Sequence, residues 1–172
     1  MRDKTAMQEL DSEHLKWRGS VRAIVDATID KVWGMVSQTK RLPEWMPMVE
    51  RCTDLAGEEG QVGYVRLVSG FMFPQEDGER SWIKEKLISI DPSSHSYAYK
   101  MEASNVGLDG SVNKLKLVDY GGQGSSTLVV WSFEIDPLEG VSQDGIIDFL
   151  GFVYKSSIAR IGNAIQAGAT LA

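Results

Sequence analysis

The hydrophobic positions change period several times along the chain, and each change marks an element. Trp17, Val21, Ala23 and Val25 alternate with polar neighbours over 17–25, the spacing of a half-buried strand. Asp26 or Thr28 can cap a short helix over 29–36, with Val32, Trp33 and Val36 on its inner side. Pro43 is well placed to start a second short helix or turn around 41–45. Six more strands are predicted at 48–55, 62–69, 80–90, 95–104, 111–119 and 126–136. Glycine-, asparagine- and proline-rich stretches separate them, short enough for consecutive antiparallel pairing.

The last segment has another period. Ile146, Ile147, Leu150, Val153, Tyr154, Ile158, Ile161 and Ile165 recur every three or four residues, with Asp148, Lys155, Arg160, Asn163 and Gln166 opposite. Ser142 is a plausible N-cap and Asp144 sits in the first turn, so the pattern predicts one amphipathic helix over 142–168, about 40 Å long. A helix of that length cannot bury its stripe alone. The predicted architecture is α+β: a seven-stranded curved antiparallel sheet gripping the C-terminal helix, with two short helices after strand 1. Such a packing tends to leave a cavity between sheet and helix. Gly145, Gly151 and Gly162 interrupt the helix at about 1 kcal/mol each relative to alanine. They either keep side chains clear of a ligand or serve close packing or a mild bend.

Composition narrows the function classes. A chain of 172 residues fits one core, expected over 16–172 behind a mobile, charged tail at 1–15. Hydrophobic residues at 42% and charged residues at 24% are ordinary for a soluble domain. A net charge of −6 without a basic cluster argues against a nucleic-acid partner. No apolar run reaches about 18 residues, so no membrane span is expected. The polar start at Met1–Lys4 and the lone Cys52 favour a cytoplasmic location, with Cys52 as a small buried hydrophobe rather than a functional thiol. His14 in the tail and His95 at a strand start are read as solvated, and no metal or cofactor is expected.

Candidate chemistry comes from polar residues on apolar faces. Lys84 and Lys86 mark the wet side of their strand, so Ile83, Glu85 and Leu87 point inward. A carboxylate between aliphatics is costly unless paired, and Arg66 on the Tyr64–Arg66–Val68 face of the preceding strand offers the partner. That face is not settled by pattern, because Val65 and Leu67 are apolar too. Tyr97, Tyr99, Met101 and Ala103 should line the interior, as should Asn113 beside Leu115 and Leu117. Val129, Trp131, Phe133 and Ile135 form an apolar inner row on the last strand. Phe71 and Phe73 lie where a connection should be polar, as a pocket lid or as packing over the sheet's open end.

Two readings follow. In one, an apolar pocket holds Arg66, Glu85 and Tyr99 as convergent polar groups, and Glu85 moves a proton, since desolvation raises a carboxyl pKa and a nearby arginine lowers it. Tyr64, Phe71, Phe73, Tyr97, Met101, Asn113, Trp131, Phe133, Leu150 and Tyr154 then contact a small hydrophobic ligand. In the other, Arg66 and Glu85 are a structural ion pair, or Glu85 sits at a wet edge.

At these residues the chain resembles the START-like, polyketide-cyclase-like superfamily. Gly63-Tyr64-Val65-Arg66-Leu67-Val68-Ser69-Gly70, followed by Met72 and Pro74, is similar to the plant lachrymatory factor synthase group. So are Lys84-Glu85-Lys86-Leu87, Ser96-Tyr97-Ala98-Tyr99 and Trp131-Ser132-Phe133. The likeness spans roughly 16–166. It implies a cofactor-free proton-transfer isomerase or cyclase, the group's own reaction rearranging an alkenyl sulfenic acid to a thial S-oxide, with Arg66 as anchor, Glu85 as proton shuttle and Tyr99 as hydrogen-bond donor. A second tyrosine of that group falls on Ser111 here, a departure that touches the substrate. The gate and latch motifs of abscisic acid receptors, a neighbouring group, are not matched. A non-catalytic carrier or receptor for a lipid, hormone or specialised metabolite is the alternative, and a protein-interaction module acting through Phe71 and Phe73 a third.

Overall fold

The computed structural model describes residues 15–73 and 75–170, with the backbone alone at 169 and 170. Expectations for the tail at 1–14, His14 and Pro74 lie outside the described residues.

Strand β1 (Trp17–Val25) leads through helix α1 (Ile29–Val36), a 3-10 turn (Thr39–Arg41) and helix α2 (Leu42–Trp45) into a six-strand meander. The meander comprises β2 (Val49–Ala56), β3 (Val65–Gly70), β4 (Ser81–Asp91), β5 (Ser96–Ser104), β6 (Val112–Tyr120) and β7 (Ser126–Ile135), followed by helix α3 (Gln143–Thr170). The sheet order is β1-β7-β6-β5-β4-β3-β2, with every pair antiparallel. The two short helices therefore carry the chain from one edge of the sheet to the other. This is the seven-stranded helix-grip architecture.

Local chemistry sets the boundaries. Thr28 caps α1 through its side chain, and Ser142 caps α3 by accepting from the Gly145 N–H at 3.3 Å. β3 starts three residues later than its pattern suggests, because the turn continues through Gly63 at φ 98° and leaves Val62 in solvent. The α3 stripe is buried at Leu150, Tyr154, Ile158 and Ile161, against Val129, Trp131, Phe133 and Ile135 of the sheet.

Gly151 and Gly162 serve close packing rather than a ligand. A Cβ on Gly151 would come within 3.3 Å of Val21 Cγ1, and one on Gly162 within 3.7 Å of Val25 Cγ1. On the same strand, Gly19 lies under the Phe133 ring, where a Cβ would fall 2.3 Å from Cζ. His95 is not simply solvated. It adopts φ 52° and packs edge-on against Trp33, ring centroids 5.6 Å apart.

Two bulges bend the sheet beside its centre. Glu102 is an extra residue on β5 between the pairs Lys84–Ala103 and Glu85–Met101. Ile88 is an extra residue on β4 between the pairs Leu87–Tyr99 and Ser89–Ala98. A bulge increases local twist and re-aims the side chains that follow it. Ala103 consequently pairs with Lys84 instead of continuing the Tyr97–Tyr99–Met101 row.

Candidate functional site

The sheet face beneath α3 encloses a cavity of about 50 Å³. Arg66 and Glu85 are direct cross-strand partners on β3 and β4, which places both side chains on that face. Arg66 Nε donates to Glu85 Oε1 at 3.0 Å, with side-chain exposures of only 8% and 13%. Tyr99 enters from β5 with its ring 3.8 Å from the guanidinium carbon, a cation–π contact. Arg66 Nη1 also donates to Thr39 Oγ1 at 3.3 Å. Glu85 Oε2 takes no hydrogen bond from any described residue.

Electrostatics follow from burial. Burial alone would lower the Arg66 pKa, but the Glu85 carboxylate reverses this and holds the guanidinium charged. Burial raises the Tyr99 pKa and the Arg66 charge partly offsets it, so the phenol keeps its proton at neutral pH. Tyr97 and Tyr154 are likewise pushed up by burial. Cys52 stands close enough to feel both charges, and burial raises its thiol to about 11.

Apolar and aromatic groups complete the wall. Trp131 stacks on Tyr154 with centroids 4.2 Å apart and planes 10° from parallel. Its Nε1–H donates to Asn113 Oδ1 at 3.0 Å. Tyr97 and Met101 contribute from β5, and the Tyr97 hydroxyl donates to the Val36 carbonyl at 2.9 Å, tying α1 to the sheet. Phe73 closes one side, edge-on to Phe149 of α3 at 6.1 Å.

Four candidate contact residues stand away from the cavity wall. Tyr64 is buried immediately before β3, hydrogen-bonded to Thr39 at 3.2 Å and to the Asp54 carboxylate. Phe71 is half-exposed beneath Arg80, 5.4 Å from its guanidinium. Phe133 is turned over Gly19, and Leu150 is packed in solid core. Ser111 is buried with its hydroxyl donated to the Leu108 carbonyl at 2.5 Å, and it too lies off the wall.

Thr39, Leu42, Trp45 and Met46 belong to the site and were missed by sequence reasoning. Thr39 is fully buried in the 3-10 turn and links Tyr64 with Arg66. The other three line the cavity from α2 or its end, an element too short to show a periodic face. Met46 and Met72 line both this cavity and an outer groove of about 270 Å³ bounded by Pro47, Phe152 and Arg160.

A curved antiparallel sheet closed by a terminal helix over a mostly apolar cavity with a few convergent polar groups defines a class of small-ligand-binding domains. Residues 16–165 match the family described as polyketide cyclase / dehydrase and lipid transport, and the chain belongs to that family. Solved structures share the fold at low identity. A START superfamily protein from Mycobacterium smegmatis superposes with TM-score 0.72 at 14% identity, covering 87% of this chain and 97% of that one. The ginseng major latex-like protein 151 from Panax ginseng gives 0.66 at 21% identity, with coverage of 87% and 97%. An uncharacterized protein from Bacillus thuringiensis gives 0.69 at 19% identity, covering 87% and 98%. The family points to a hydrophobic ligand. No helix among the described residues is long and apolar enough to cross a membrane.

Proposed function

We propose that this protein binds a small, mostly apolar molecule in the cavity and catalyses a cofactor-free proton relocation on it, as its resemblance to the lachrymatory factor synthase group implies. The observation that carries the proposal is the Arg66–Glu85 pair in the cavity wall, with Glu85 Oε2 unengaged. Arg66 anchors a developing oxyanion, Glu85 Oε2 takes the proton, and the protonated Tyr99 phenol donates a hydrogen bond. For an alkenyl sulfenic acid, the O–H proton passes to the carboxylate and is returned to the far alkene carbon. The former C=C pair binds that proton while a sulfur lone pair closes C=S. No proton is gained or lost overall.

Size bears on the ligand. About 50 Å³ holds one or two waters, so an ordinary metabolite must push aside adaptable side chains such as Met46, Met72 and Phe73. Access through the outer groove, past the two methionines, is the short route. The test compares consumption of an alkenyl sulfenic acid, generated in situ from its precursor, by wild type and Glu85→Gln. Loss of turnover in the variant with folding retained supports the assignment, and equal rates remove it.

A carrier without turnover is the second reading. It is favoured by the commitment of Arg66 to three protein partners, Glu85, Thr39 and the Tyr99 ring. On that reading Glu85→Gln changes affinity while no substrate is consumed.

A further inference from the structure

Trp45 lines the cavity from α2 at 1% exposure, its ring 5.9 Å from that of Trp131. The two indoles differ in one respect. Trp131 Nε1–H has its acceptor on Asn113, whereas Trp45 Nε1 is the only buried side-chain nitrogen or oxygen among the described residues without a hydrogen-bond partner. Leaving a buried donor unpaired is costly, which is why such groups are rare in native interiors. Phenylalanine would supply a ring at this position without that penalty. The neighbouring polar groups do not share the defect: Arg66 is bonded to Glu85 and Thr39, Tyr97 to the Val36 carbonyl, and Asn113 to Trp131.

We infer that Trp45 Nε1–H is a specificity-determining donor to the bound molecule, which therefore carries a hydrogen-bond-acceptor oxygen of the carbonyl or sulfinyl kind on a short apolar body. This inference rests on the cavity being the ligand site and adds the acceptor requirement. A site built to bond an acceptor discriminates against the analogue lacking it, because its own donor is then left dry. Trp45 contributes recognition rather than proton transfer, since an indole N–H donates and does not titrate in the working range.

The experiment titrates the full chain with 2-pentanone and, separately, pentane. The five indole N–H signals are followed by ¹⁵N NMR, and affinities are measured in parallel on wild type and Trp45→Phe. The expected result is a downfield shift of the Trp45 proton with 2-pentanone but not with pentane. Trp45→Phe should weaken 2-pentanone about tenfold and leave pentane within about twofold. The shift in wild type stands as a readout even if the variant folds poorly. Were the Trp131 signal to respond to both probes while Trp45 stayed still and the variant kept full ketone affinity, the donor role would be overturned and the cavity reading would survive. If no indole responds to either probe, the cavity reading itself fails and the inference falls with it.

Discussion

Glu85→Gln, set beside the double replacement Arg66→Met/Glu85→Leu, separates a strut from a site. The single change leaves a guanidinium at 8% side-chain exposure without its carboxylate. Removing one partner of a buried pair typically costs about 3–5 kcal/mol. Here glutamine can still offer an oxygen to the 3.0 Å contact, and Arg66 keeps Thr39 at 3.3 Å and the Tyr99 ring at 3.8 Å. The expected loss is therefore roughly 2–3 kcal/mol. The double replacement removes both charges and fills similar volume, so its stability should lie within about 1 kcal/mol of wild type. Urea denaturation at unchanged slope reads both values. The same proteins are then titrated with 2-pentanone. A double variant that is stable yet has lost affinity shows that the charges are kept for the ligand. A double variant as damaged as the single one, or one that binds the ketone undiminished, refutes that account.

Other expectations are more local. Thr39→Val removes the hydroxyl between Tyr64 and Arg66 and should cost about 1–3 kcal/mol in denaturant unfolding, with weakened ketone binding. Gly19→Ala drives a methyl into the Phe133 ring, itself 5.3 Å from Tyr154, and should lower stability by about 1–3 kcal/mol; an unshifted Tm would contradict the packing described. The Cys52 thiol, raised from 9.0 to about 11 by burial, keeps its proton in the folded state where the unfolded chain has lost it. Its contribution is complete below pH 9 and disappears as pH climbs to 11, an effect of about 1–2 kcal/mol for a half-buried group that Cys52→Ala should abolish in a Tm-versus-pH series. Alkylation of Cys52 at pH 9 should correspondingly be far slower in the native protein than in urea.

The fold was legible because its periods are long and clean. The α3 stripe and the alternation of β7 each left a single way to face inward, and the helix–strand–helix order admitted few packings. The inward direction of Glu85 was legible from the lysines flanking it. The position of Arg66 was less so, since β3 is apolar on both faces and only the pairing with β4 decides which side it shares. What stayed hidden has two physical causes. Bulges break the two-residue period from within, which is why Ala103 turns out opposite Lys84. Short elements have no period to read, so Thr39 and Trp45 gave no sign that the chain folds back over the charged pair. The Phe133 side chain shows a further limit: a face can be assigned from alternation, but the neighbour on that face, here a glycine that leaves room for a ring, cannot.

The sharing of Met46 and Met72 between the inner cavity and the outer groove bears on kinetics. On the proposed cavity reading, exchange past two unbranched thioethers would need rotamer changes rather than the separation of helix from sheet. On that reading the two methionines act twice, as the partition a molecule crosses and as part of the wall that makes room for it. Stiffening either methionine to isoleucine should slow arrival and departure together.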